Sequence, residues 1–247
     1  MVMRETENLR KTLIVDRGSY DAPTKEVESM TPTAVLPINI INSNRLDLAN
    51  WFFDDENPLT SRVVVNRLWQ QFFGVGIVAT PDDFGSQGNR PTNPELLDWL
   101  AVTFVKDNWD TKKFIKRIVT SSTYMQSSKV NISNKKLDPE NMFLSYFPRQ
   151  KLTAEMIRDN ILASSGLLVN KIGGPSVKPY QPKGLWDEVI GGGGGSLARY
   201  VPSTGENLYR RSVYTFWKKT VPPPSMMIFD ASSRDNCLLY TSPRPRD

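Results

Sequence analysis

The sequence predicts a mainly α-helical body with a small extended N-terminal part and long irregular loops. Three observations carry that reading. Asn57-Pro58 and Asn93-Pro94 each place an amide cap before a proline at the first helical position, a strong start signal. Apolar residues after both recur at 3- and 4-residue steps. Pro23, Pro32 and Pro37 break up the chain before residue 42, and glycine and proline make it irregular after Gly173-Gly174-Pro175.

Along the chain, Thr12-Leu13-Ile14-Val15 reads as a strand followed by the turn signal Asp16-Arg17-Gly18. Pro23, Pro32 and Pro37 keep the remainder of residues 1–41 extended. Leu46, Leu48, Ala49, Trp51 and Phe52 form a short helical stretch. From Asn57, Val63, Val64, Leu68 and Phe72 hold helical spacing until Gly74 and Gly76 end it. From Asn93, Leu96, Leu97, Leu100, Ala101, Phe104 and Val105 share one face. Asp110 caps a third helix with Phe114, Ile115, Ile118 and Val119 as its buried stripe. Asp138-Pro139-Glu140 is expected to start a short helix that stops near Pro148. Thr153 caps another, with Met156, Ile157, Ile161, Leu162 and Leu168 as its apolar face. Gly191 to Gly195 reads as a loop, because uninterrupted glycine loses the most entropy on ordering. Tyr209–Lys219 (YRRSVYTFWKK) fits strand or helix. One main body is expected, with residues 1–41 as an extended lead-in and 42–236 as the helical domain.

Composition closes some chemistries. The 247 residues are 39% hydrophobic and 23% charged, enough for a real core, with a formal charge of +5. There is one cysteine, Cys237, and no histidine. An internal disulfide, a haem attachment motif, a zinc cluster and Ser-His-Asp catalysis are therefore all excluded within these residues. No metal site is expected. Catalysis would fall to carboxylates, Lys, Tyr, Ser or Arg. No apolar run of 18 residues is present to span a membrane, and the first residues lack the apolar core of a signal peptide.

Several segments together resemble a known family. They are Asn57-Pro58-Leu59-Thr60 with Arg62 and Val65-Asn66-Arg67, then Thr80-Pro81-Asp82-Asp83-Phe84-Gly85 and Pro94-Glu95-Leu96-Leu97-Asp98-Trp99. Arg149 with Leu152, Glu155, Arg158 and Asp159 follows, then Gly173-Gly174-Pro175, Gly184-Leu185-Trp186, Arg210-Arg211-Ser212 and Pro222-Pro223-Pro224-Ser225-Met226. The chain resembles the planctomycete-type domain of unknown function numbered fifteen fifty-three. The resemblance implies a module near the C-terminus of a large periplasmic or secreted protein. In that family an upstream c-type haem domain and a second uncharacterised domain often share the chain, and these are the implied partners. No cofactor is expected in this segment itself, and residues 1–41 are expected to come from the interior of a longer protein. Relatives often carry histidine where this chain has Gln70, Gln71 and Asn93. Residues 237–247 (CLLYTSPRPRD) leave the family pattern and resemble a translated sequencing-library adaptor, so they are expected to be a non-native tail.

Glu155, Arg158 and Asp159 lie at i, i+3 and i+4 and share a helix face. They could do acid–base work or bind a substrate; the plainer reading is an ion-pair network that anchors a loop. Arg62, Asn66 and Gln70 form a second polar stripe, a binding surface or a buried hydrogen-bond network. Asp82-Asp83 could ligate Ca²⁺ but lacks the alternate-acid loop pattern, so a turn role is preferred. Gly173-Gly174-Pro175-Ser176 could offer backbone N–H groups to an anion. Trp69 and Trp99 are expected in the core, whereas Trp186 and Trp217 are the candidates for a surface platform. Arg210-Arg211 and the cluster Lys112-Lys113-Lys116-Arg117 could meet phosphate.

These features favour a binding or scaffolding module for glycan or partner domains, through Arg62, Asn66, Arg158, Trp186, Arg210, Arg211 and Trp217. A carboxylate-dependent hydrolase or haem-coupled accessory enzyme is the alternative, with Glu155, Asp159, Asp82 and Asp83 as its acids. Nucleic-acid binding rests on mild basicity alone and is the least favoured.

Overall fold

The computed structural model describes residues 11–37, 44–186, 200–218 and 222–231. The glycine run, Lys219 and the terminal segment lie outside them. Among the described residues the architecture is mainly α, with one two-stranded sheet. The chain packs as two compact units, 1–147 and 148–247, where the sequence reading has one body over 42–236.

In the first unit, β1 (Thr12–Val15) and β2 (Pro23–Val27) pair antiparallel, with Thr12 opposite Val27 and Leu13 opposite Glu26. The Trp51 indole N–H donates to the Leu36 carbonyl at 2.9 Å and ties this lead-in to α1 (Arg45–Phe52). Asn44 caps α1 in a capping box with Asp47. The expected start signals hold in α2 (Pro58–Phe73), α3 (Pro94–Lys106) and α4 (Thr111–Val119). Asn57 accepts from the Leu59 N–H, Asn93 from Leu96 and Asp110 from Lys113, each at 3.0 Å. Gly74, at φ 81°, ends α2 in the left-handed region that favours glycine.

The core joins Val65, Trp69 and Phe73 of α2 to Ile77 and Val78, to Leu97, Leu100 and Phe104 of α3, and to Phe114 and Ile118 of α4. Val63, Val64, Leu68 and Phe72, the stripe expected for α2, are only half-buried. The buried side of α2 also carries Ser61, Asn66 and Gln70, so hydropathy alone misplaced it. Trp99 is a second correction. It is exposed on α3, with the Arg117 guanidinium 5.8 Å over its ring, while Leu97 and Leu100 face inward. Short α5 (Ser122–Met125) and α6 (Ile132–Leu137) follow. No helix starts at Asp138. That residue ends α6, and its two carboxylate oxygens accept from the Met142 and Phe143 N–H groups at 2.8 Å, folding the segment into turns.

The second unit is built on α7 (Ala154–Ser164), with 3-10 turns at Gly205–Tyr209 and Ser212–Tyr214 and short α8 (Pro224–Met227). Tyr209–Lys219 is neither helix nor strand over its described part. It alternates 3-10 turns with single bridges, Arg210 to Val169 and Thr215 to Val177. The apolar face expected for α7 is only partly covered, with Ile157, Leu162 and Leu168 half-buried. Met156 and Ile161 are exposed, whereas Ala154 packs with Met226, Ala231 and Trp217.

Candidate functional site

The polar side of α7 holds the second unit together. The Arg158 guanidinium donates to the carbonyls of Arg210 at 2.9 Å and Leu208 at 3.0 Å, and to the Ser212 hydroxyl at 3.2 Å. Burial lowers the pKa of this arginine from its usual value, and the Asp159 charge 3.8 Å away opposes the shift. Asp159 accepts from both the N–H and the hydroxyl of Ser212, at 2.8 and 2.7 Å, and faces Arg211 at 3.4 Å. The anchoring role weighed for this triad therefore holds for Arg158 and Asp159. Their partners are backbone and side-chain groups some 50 residues on, more than each other. Glu155 takes no part and has no hydrogen-bond or ion-pair partner among the described residues.

Arg210 is buried, and its guanidinium donates to the carbonyls of Lys171, Gly173 and Pro175 while stacking on the Tyr214 ring at 3.8 Å. The Gly173-Gly174-Pro175 loop thus wraps a cation of its own chain with carbonyls, the opposite polarity to the anion cradle weighed for it. Gly173 and Gly174 sit at φ 79° and 89°, conformations that L side chains rarely adopt, which lets three carbonyls converge. Arg210 is accordingly closed to phosphate. In the other basic cluster, Lys113 and Arg117 both pair with Asp107, holding its carboxyl below the usual aspartate range through those hydrogen bonds.

Trp186 is also buried, packed on Tyr200 and Phe216 with the Lys218 ammonium 4.6 Å over its ring, so it offers no exposed platform. Tyr200, which the sequence did not single out, donates its hydroxyl to the Pro179 carbonyl. Burial pushes its pKa up to about 12.

In the first unit, Asn66 is fully buried. Its Nδ2 donates to the Val78 carbonyl at 3.0 Å and its Oδ1 accepts the Val78 N–H at 2.8 Å. A Cβ on Gly76 would lie 2.5 Å from the Val78 carbonyl oxygen and 2.6 Å from the Asn66 amide nitrogen, so this corner requires glycine. Asn66 belongs to the fold and has no surface to offer a ligand. Arg62 donates to Asp98 at 2.7 Å and to the Pro58 carbonyl. Asp83 accepts the Gly85 N–H at 2.7 Å, the turn role preferred for it, and Asp82 lies 4.0 Å from Arg67. Among the described residues no three acidic, cysteine or histidine side chains converge on a common point.

The second unit also has an open groove of about 520 Å³, lined by Thr153, Glu155, Met156, Asp159, Arg211, Ser212, Val213 and Trp217. The structure brings Glu155, Arg211 and Trp217 together here. It leaves Arg62, Asp82 and Asp83 in the first unit. Its lining carries both signs of charge, Glu155 and Asp159 beside Arg211, and Met156, Val213 and Trp217 give it apolar surface.

Fold and site define a mainly helical module with an internally cross-braced groove and no assembled metal or triad chemistry among its described residues. The chain belongs to the PSD1 family of proteins of unknown function (DUF1553), whose model matches residues 44–242. The match covers both units and runs past Asn236 into the terminal segment. No curated protein and no solved structure matches the chain.

Proposed function

We propose that this domain is a binding module whose ligand lies in the groove of the second unit, and that the ligand is an uncharged glycan. The observation that carries the reading is the division of labour on α7. Arg158 and Asp159 are committed to bracing the 208–212 segment, which leaves Glu155 free beside Arg211 and Trp217. A pyranose has an apolar face for an aromatic ring and hydroxyls that both donate and accept. Glu155 supplies an acceptor, Arg211 a donor and Trp217 the stacking surface. A carboxylate-dependent hydrolase would need a second acid at the groove, and Asp159 already accepts three internal hydrogen bonds. As a member of its family the domain is further proposed to act beside other domains of a planctomycete-type periplasmic or secreted protein, a c-type haem domain among them. Fractionation of cells expressing the full-length gene tests that location.

The ligand test is titration with neutral oligosaccharides (cello-, xylo-, malto- and chito-oligomers), followed by NMR. Saturable shifts centred on Trp217 and Met156 are expected for at least one series. Trp217→Ala should weaken binding about tenfold or more, in line with a single aromatic contact of about 1 kcal/mol plus its buried area. Absence of binding across the panel, or unchanged affinity in Trp217→Ala, would count against the proposal.

A further inference from the structure

The first unit contains a cavity that the groove reading does not use. It is a half-open hollow of about 210 Å³ between the starts of α2 and α3. Leu59 and Leu97 come from the two helices, Val78 and Phe84 from the loop between them, and Pro91 and Pro94 close the side. Hydrogen bonds brace the loop side of its wall. Val78 is held by both hydrogen bonds of Asn66, and the loop is pinned where Thr80 donates to the Asp83 carbonyl and accepts the Asn89 N–H, each at 2.8 Å. The prolines have fixed φ. A pre-formed apolar cavity forfeits little ordering entropy on binding.

The mouth is polar, and it is polar in a particular way. Arg62 and Asp98 pair at 2.7 Å with their side chains 32% and 54% exposed. One is a fork of N–H donors and the other an acceptor with lone pairs to spare. Side by side they complement a peptide unit, which presents one carbonyl and one N–H. The volume suits one ring or branched side chain and is below the usual range for small-molecule sites. We infer that this cavity takes a single large apolar side chain of a partner polypeptide, with Arg62 bonding the carbonyl and Asp98 the N–H of that residue's own backbone.

The probe is N-acetyl-phenylalanine N-methylamide, compared with toluene, each titrated into the 247-residue chain with the methyl NMR signals of Leu59, Val78 and Leu97 as readout. The blocked phenylalanine should give saturable shifts at those methyls with at least tenfold higher affinity than toluene. Leu59→Trp, at the rim, should fill the cavity and abolish them. Arg62→Met leaves the apolar walls in place and should bring the two probes to equal affinity, so the inference stays testable if Leu59→Trp does not fold. No saturable shift with the blocked phenylalanine, or equal affinity of the two probes in the unmodified chain, overturns it.

Discussion

Asn66 and Gly76 form a single device. Removing the buried amide with Asn66→Ala leaves the N–H and carbonyl of Val78 unpaired in the core, a loss of about 3 kcal/mol on the usual cost of orphaned buried groups. Gly76→Ala forces the same corner apart and should cost about 2–3 kcal/mol. Urea denaturation of the two variants and their double mutant checks this. The double mutant should fall well short of the sum, because both changes act on one contact. The polar stripe Arg62, Asn66 and Gln70 was legible as a pattern. Which of its members was buried was not, since that depends on where the chain returns after Gly76. On α7, Arg158→Met should destabilise the second unit by about 3 kcal/mol through the lost bonds to Leu208, Arg210 and Ser212. A thermal melt of the variant measures it.

At the scale of elements, the helix starts were legible because each depends on a few adjacent residues. Asn57, Asn93, Asp110 and Thr153 all cap as their local chemistry requires. The segment after Asp138 failed for the converse reason. Asp-Pro-Glu resembles a helix start, but the Asp138 carboxylate turns to the N–H groups of residues 142 and 143, a choice local sequence does not record. Between α3 and α4 the joint is Asp107, paired with Lys113 and Arg117. Its folded pKa lies below the ordinary 3.8, so its contribution to stability is present above that value. The contribution is lost as pH falls through the lower folded value. Asp107→Asn should therefore be less stable than wild type at pH 7, and denaturation curves of the two should converge as the pH is lowered below 3.8. A gap that persisted at the lowest pH would contradict the pairing.

For the whole molecule, the mainly helical class and the family were both readable, the first from period and caps and the second from motifs spread over residues 57–226. The site was only partly readable. Glu155, Arg211 and Trp217 lie within about 60 residues of one another and line one groove, Arg211 being brought there as Arg158 and Asp159 draw residues 208–212 onto α7. Sequence spacing placed Glu155, Arg158 and Asp159 on one face. Their separation into two bracing residues and one free carboxylate needed the positions of Leu208 and Ser212. Trp186 was a surface candidate because its segment reads as irregular and polar, and Arg210 because it belongs to a basic pair that could meet phosphate. Folding buries both, as carbonyls and rings close around them. The central claim is that the free carboxylate serves the ligand and not the fold. The most direct measurement pairs a thermal melt of Glu155→Gln with oligosaccharide titration of the same sample. Glu155→Gln should keep a stability within about 0.5 kcal/mol of wild type, as for substitutions away from internal contacts, with an affinity lowered several-fold. A Glu155→Gln protein that unfolds early, or that binds its glycan as tightly as wild type, would contradict it.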